Sequence, residues 1–372
     1  MKIRESIIPV LRPVGDDTDI EELKDTIESG WWGKGPKVEK LEKEFASKVG
    51  SKYAIAVTSN TVGLDLSLKA LEIKSGNIIS PTISFVTTAM VPLWNNCESR
   101  LCDIKAEDRN ISLDDIKTNV DEKTKAIISV NYAGINSDIE NLRKIYSGNI
   151  IEDCAWSCYA KDAGTKSDIS IWSFQAVKTI SSGDGGIITT NSDKIYNKIR
   201  MLTNFGIPQD TYTRAMGLGK AKLKPGYVWD FEISTIGYKA YMNDIQASLI
   251  LSQLKHLDDY LEKRLHIQKK YNNELPDELL RPMWSPTCGL YSPSISAHKR
   301  DDFMNYLSTK NIHTTIHFKP LHLHPLFSQS RQYPIADNIW KSFVSLPCHP
   351  AINEDDLNYI IYWAKEFFTQ NK

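Results

Sequence analysis

No stretch of this 372-residue chain approaches the eighteen or so consecutive apolar residues that a membrane-crossing helix needs. The opening Met-Lys-Ile-Arg-Glu-Ser-Ile-Ile-Pro carries too short an apolar run for a signal peptide, so a cytoplasmic location is expected. Cysteine is scarce as well. The six thiols (Cys97, Cys102, Cys154, Cys158, Cys288, Cys348) are too few for a disulfide scaffold at this length. None forms a C-x-x-C pair, and Cys154 and Cys158 have no His or Cys cluster beside them, which argues against structural zinc. An excess of either charge is also missing: Lys+Arg of 45 against Asp+Glu of 46 leaves a net charge of −1. That balance gives no electrostatic case for nucleic acid or an anionic membrane as the main partner. Internal repeats and low-complexity segments are absent too. What is present is an ordinary soluble composition, 41% apolar and 24% charged, long enough for more than one domain-sized unit.

Taken in order, the chain alternates. Apolar spacing predicts amphipathic helices over 18–29 and 38–49, with the break Trp31-Trp-Gly-Lys-Gly-Pro36 between them; that break reads equally as a loop near a ligand or a packing turn. Strands are predicted at 53–58, 77–81, 100–104, 126–130 and 149–152, and helices at 63–71, 84–94, 112–119 and 139–146. Strands alternating with helices imply a mainly parallel sheet with helices on both faces and ligands at the carboxyl ends of its strands. Helices follow over 194–205 and from 242 through 261 toward 274, with an aperiodic loop over 206–229 between them. A Pro-rich stretch, 276–293, then leads into a smaller unit with helices at 300–310 and 354–369. The resulting division is a large domain over 1–245, whose first residues are expected to pack on the small domain, and a linking helix with a small α+β domain over 246–372.

Chemistry is concentrated around one lysine. In Ile171-Trp-Ser-Phe-Gln-Ala-Val-Lys-Thr-Ile-Ser-Ser-Gly-Asp-Gly-Gly-Ile-Ile-Thr-Thr190, Lys178 sits on a tight connection between two β-prone runs. It reads as a surface lysine beside a turn or, if its pKa is lowered, as a nucleophile toward carbonyl compounds. Asp153 ends a buried strand upstream, either capping the next turn or presenting a carboxylate to a ligand. Ser59-Asn60-Thr61 closes a strand and opens a helix, which is a plain N-cap or an anion site made of backbone N–H groups. An amine, a carboxylate and an anion cradle are together what pyridoxal phosphate requires: a lysine for its aldehyde, an acid for its ring nitrogen, donors for its phosphate. Ser173 can add a hydroxyl to that cradle, and Phe85 is either core or a stacking partner. His317, His322 and His324 lack the i, i+4 spacing of a helical zinc motif, so they read as substrate contacts or a polar turn, and no metal is expected.

Several blocks, in this order, resemble the DegT/StrS-type sugar-nucleotide aminotransferases, pyridoxal phosphate-dependent enzymes of aminotransferase fold type I. They are Ser29-Gly-Trp-Trp-Gly-Lys-Gly-Pro, Ser59-Asn-Thr-Val-Gly-Leu, Ser80-Pro-Thr-Ile-Ser-Phe, Ile151-Glu-Asp-Cys-Ala, the Lys178 segment, Gly237-Tyr-Lys-Ala-Tyr-Met-Asn-Asp and His317-Phe-Lys-Pro-Leu-His. The resemblance implies Lys178 as the catalytic lysine, Asp153 at the pyridine nitrogen, Phe85 on the ring, and Asn60, Thr61 and Ser173 at the phosphate. It implies a homodimer in which Lys239, in the Tyr238-Lys-Ala-Tyr241 turn, reaches the neighbouring subunit's phosphate. Trp32, Lys34, Tyr241, His317, Lys319 and His322 are the implied substrate contacts. The implied reaction uses glutamate to aminate a nucleotide-linked keto sugar, 4-keto-6-deoxy or 3-keto, for glycans such as the O-antigen of lipopolysaccharide. A dehydratase or lyase on such a sugar, or a non-catalytic regulator, are the alternatives. Three positions depart from the common pattern: Asn60 replaces a small residue, Lys239 replaces a frequent Asn, and Trp156 stands where Gln or His helps hold the cofactor.

Overall fold

The computed structural model describes residues 1–215 and 232–370. Among them, seven strands form one sheet in the order β1-β7-β6-β5-β4-β2-β3. The strands are β1 (Tyr53–Val57), β2 (Asn77–Pro81), β3 (Glu98–Cys102), β4 (Thr124–Val130), β5 (Asn149–Asp153), β6 (Ile169–Ser173) and β7 (Gly186–Thr190). From β3 through β6 the pairings are parallel; β7 runs antiparallel to both of its neighbours. Most strands are short Ile-rich runs whose residues are buried on both faces, the pattern of a sheet covered on two sides.

Before the sheet come α1 (Asp17–Glu28) and α2 (Pro36–Val49); within it come α3 (Asn60–Ala70), α4 (Thr87–Trp94), α5 (Leu113–Asn119) and α6 (Ile139–Ile145), and after β7 comes α7 (Asp193–Thr203). The alternation along β1 divides the core: Ala54 and Ala56 pack with α2, whereas Ile55 and Val57 pack with α3 and α7. Caps match the sequence signals. Asp16 and Asp19 form a reciprocal capping box on α1, and the Ser59 hydroxyl accepts from the Val62 N–H on α3. The N-terminus of α2 is capped at a distance: Asp244 accepts from the N–H groups of Gly35, Lys37 and Val38 at 2.8–3.0 Å. Within the chain, the Trp31–Pro36 break is therefore a packing turn.

The short α8 (Thr211–Ala215) begins in the predicted 206–229 loop, whose part from residue 216 lies outside the described residues. The helix predicted over 242–261, with a further helix continuing to 274, divides earlier than expected into α9 (Asp244–Lys255) and α10 (Leu257–Glu274). The break falls at His256, whose Nε2 is 2.9 Å from the Thr18 hydroxyl on α1. A tertiary contact thus overrides a continuous apolar period. Beyond α10 lie α11 (Ala297–Ser308), α12 (Pro334–Ile339) and α13 (Glu354–Gln370). The core of α10, α11 and α13, with Tyr271, Phe303, Val344, Ile360 and Phe367, also takes in Ile8, which bridges Ile312. Extended segments here pair through isolated bridges such as Tyr291–Leu346 and Thr315–Ser345.

The placement of the lysine connection follows from the register. Gly186 opens β7 opposite Ser173, the last residue of β6, and opposite Val57, the last residue of β1. The connection carrying Lys178 therefore leaves and re-enters at the carboxyl edge where β5 ends in Asp153 and α3 begins. A side chain on Gly186 would place its Cβ 2.6 Å from the Asn60 backbone nitrogen and 2.6 Å from the Ser59 carbonyl carbon. We expect Gly186→Ala to destabilise the protein by about 1–3 kcal/mol, the usual range for overpacking against backbone. Gly33→Ala, with nothing within 4 Å of the added carbon, is the control. Urea unfolding of both variants measures the difference.

Candidate active site

A cavity of about 320 Å3 opens at this edge, in the size range of small-ligand pockets. It gathers side chains from distant parts of the sequence: Asn60 and Thr61 from the start of α3, Phe85, Asp153, Trp156, Ser173, Lys178 and His317. The lysine and the acid that the sequence singled out thus face one space.

Asp153 is buried, with 6% of its surface exposed. Its Oδ1 accepts from Asn60 Nδ2 and from the Ala155 N–H, each at 3.1 Å. Burial pushes its pKa above the ordinary carboxylate value, while these two donors and the Lys178 ammonium pull the other way. Lys178 shows the converse. Burial lowers its pKa to about 7, Asp153 opposes that fall, and the guanidinium of Arg264 on α10 adds to it. The amine Nζ lies 3.1 Å from the centre of the Trp156 ring. Trp156, at the position where Gln or His commonly helps hold the cofactor, thus meets the amine through its ring face.

The N-terminus of α3 supplies free N–H groups and the positive end of an 11-residue helix, which suits a phosphate. The Thr61 hydroxyl sits 3.1 Å from that of Thr87, and the Ser173 hydroxyl accepts from the Gln175 N–H at 3.3 Å. The Asn60 side chain is turned away from an anion role and toward Asp153. Phe85 is 58% exposed at the cavity rim, its ring 5.9 Å from that of Phe318. His317 Nδ1 pairs with the Ser345 hydroxyl at 2.9 Å, and burial, then Lys178, lowers its pKa to about 4, so the ring is neutral near pH 7.

Five of the six expected substrate contacts do not line this chain's own cavity. His322 uses both ring nitrogens, Nδ1 with the Thr82 hydroxyl at 2.6 Å and Nε2 with Asp337 at 2.9 Å, and stacks on Tyr333. It ties the end of β2 to α12 and has no donor left for a substrate. Lys34 pairs with Asp210 at 2.6 Å in a different cavity, and the Trp32 indole donates to the Ile27 carbonyl. Lys319 is exposed outside the pocket lining. Lys239 and Tyr241 bridge Asn204 and Val57 respectively and do not line this chain's own cavity. Tyr132, Phe318 and Gln175 line the pocket and escaped the sequence reading. Tyr132, just past the end of β4, carried the strand-end signal but no chemistry of its own; its hydroxyl donates to the His317 carbonyl. No cluster of three or more metal-ligating side chains occurs among the described residues.

The lowered Lys178 pKa has a consequence for stability. Between pH 7 and the ordinary lysine value of about 10.4, the unfolded chain holds a proton that the folded chain has released. This group therefore makes the cofactor-free protein more stable as pH rises through that window, by up to about 1.4 kcal/mol per pH unit. Denaturant unfolding across the window should show a steeper rise for the wild type than for Lys178→Met.

These residues fit pyridoxal phosphate: a buried acid held by two donors, an amine of lowered pKa, and a helix N-terminus around one cavity. The wider likeness agrees. The DegT/DnrJ/EryC1/StrS aminotransferase family matches residues 13–363. MJ1066 of Methanocaldococcus jannaschii is 35% identical over 395 residues, covering 100% of each chain. The Bacillus subtilis spore coat polysaccharide biosynthesis protein SpsC is 31% identical over 386 residues, covering 96% of each. The Streptococcus pneumoniae protein Spr1654, solved in its PMP form, superposes with a TM-score of 0.88 at 25% identity, covering 98% of this chain and 99% of that one. The chain belongs to the DegT/DnrJ/EryC1/StrS aminotransferase family and is a pyridoxal phosphate-dependent aminotransferase of fold type I.

Proposed function

We propose that the chain aminates a keto sugar carried on a nucleoside diphosphate, with glutamate as amino donor. The observation that carries this reading is the meeting of Lys178, Asp153 and the α3 N-terminus on one cavity. Asp153 would stand at the cofactor's pyridine nitrogen, with Asn60 holding the carboxylate in place. Thr61, Ser173 and the N–H groups of α3 would take the phosphate, and Phe85 and Trp156 would flank the ring. Bound there, the cofactor supplies an aldehyde to receive the amino group and a ring that accepts electron density when a substrate proton leaves.

The chain's own part is proton transfer and exclusion of water. Burial lowers the Lys178 pKa toward the working range, the direction a general acid–base catalyst needs in order to take and return a proton. The Asp153 carboxylate stabilises positive charge across the cavity. Trp156, Phe85 and Phe318 keep the reacting atoms in an apolar enclosure. Neutral His317 offers the substrate a hydrogen bond without competing for charge.

Lys239 and Tyr241 lie off their own cavity, which supports a homodimer in which their turn completes the partner's site. Exposed Phe205, Ile236 and Tyr238 beside them form an apolar surface for that contact. The large unit would span 1–245 and the small unit 246–372, with the site at their junction. The acceptor would be a 4-keto-6-deoxy sugar, or a 3-keto sugar, in a cytoplasmic route to a surface polysaccharide; the likeness to SpsC supports the polysaccharide end use.

Incubating the enzyme with a panel of nucleotide keto sugars and glutamate, followed by mass spectrometry, should give one 2-oxoglutarate per amino sugar formed. A dehydrated sugar without 2-oxoglutarate would establish a lyase instead. Lys178→Ala should keep the fold, lose the visible absorbance of lysine-bound cofactor and lower kcat by at least about 10²–10⁴-fold. A non-catalytic protein would show no turnover to lose.

A further inference from the structure

Lys178 and Trp156 line two cavities at once. One is the active-site space; the other is an inner void of about 10 Å3 lined also by Cys154, Cys158 and Tyr159, at the lower limit of the room one water molecule needs. Together with Ala155 and Ser173, which line both spaces as well, these two side chains lie between them, with the amine 3.1 Å from the ring centre. Trp156 is 8% exposed, its ring packs at 73° to the His317 ring with centroids 5.8 Å apart, and its backbone carbonyl accepts from the Thr287 hydroxyl at 3.2 Å. A charged amine in such a space has lost most of its water. An indole face, negative at its centre, replaces part of that solvation without neutralising the amine as a carboxylate would.

We propose that the Trp156 indole face is the resting platform of the Lys178 ammonium whenever that amine is free of cofactor and substrate. The platform stabilises the protonated form and so sets how much of the amine is charged at working pH. It acts alongside the other groups facing the lysine: Asp153 on β5, Arg264 on α10, His317, Asp184, and the thiols and phenol of Cys154, Cys158 and Tyr159. Of these, Asp153 also favours the ammonium, and Arg264 opposes it. Trp156 is thus a positioning residue for the catalytic amine as well as a wall of the pocket. The proposal rests on Lys178 being the reactive amine. Its test is made on cofactor-free protein, so its failure would leave the amination reading intact, and a failed amination screen would leave it intact.

The readout is acetylation of Lys178 by acetic anhydride, followed by peptide mass spectrometry from pH 5 to pH 10 in full-length, cofactor-free protein. Relative to wild type, Trp156→Gln should lower the ammonium-to-amine ratio at a given pH by about three- to thirtyfold, the span of a cation–π contact from exposed to desolvated. Trp156→Phe, which keeps a weaker face, should fall between the two. Superimposed profiles for wild type and Trp156→Gln would overturn the proposal, as would a Trp156→Phe shift as large as that of Gln. Should Trp156→Gln fail to fold, the pH dependence of tryptophan emission in the unmutated pocket decides: a titration near pH 7 that disappears in Lys178→Met supports the platform, and one that persists unchanged overturns it.

Discussion

A buried amine and a buried carboxylate facing one another across a small space are each unfavourable alone and tolerable together. Removing Asp153 from water raises its pKa; removing Lys178 from water lowers its own; each partly restores the charge of the other. Much of the surrounding structure serves this pair. Asn60 and the Ala155 N–H satisfy the acid, and the Trp156 face lies against the amine. The outcome is an amine that holds its proton less tightly than an exposed lysine does, because burial outweighs the pull of Asp153.

Bringing those groups together is the task of the sheet. A mainly parallel arrangement puts the ends of β4, β5 and β6 on one edge, and reversing β7 returns the chain to that edge within one connection. Gly186 lets α3 come close enough to β7 for its N-terminus to share the cavity. The same helix start thus serves two ends, backbone N–H groups toward an anion and the Asn60 side chain toward the acid. At the far side, the C-terminal segment contributes His317 and Phe318, while His322 is used up in tying β2 to α12. Neighbouring histidines in one short run therefore do different work, one facing the cavity and one fastening the frame around it.

Much of this was legible in the amino-acid order. Apolar, mostly Ile-containing runs with intervening amphipathic segments marked most strands of the sheet and the helices between them, because burial on two faces demands continuous apolar strands; β3, Glu-Ser-Arg-Leu-Cys, is the exception. The Gly-flanked lysine and the strand-terminal aspartate declared their chemistry through type and position. Less legible were residues whose role depends on what lies beside them in space. The period from residue 242 concealed the break at His256, which a contact from α1 imposes. Trp32 and Lys34, which the family resemblance implied as substrate contacts, make their contacts within this chain to Ile27 and Asp210, partners that neither residue's local sequence names.

The order of residues by itself determined an α/β chain with a covered sheet, an amine and an acid at strand ends, and a helix start suited to an anion. Local periodicity and side-chain chemistry suffice for that. Tertiary structure alone decided that Asn60 turns to Asp153, that Trp156 offers its face to Lys178, and that His317 faces the cavity while His322 does not. Those outcomes are set by which neighbours are within hydrogen-bonding or ring-contact distance, and such proximity between positions far apart in the chain is not written in either segment alone.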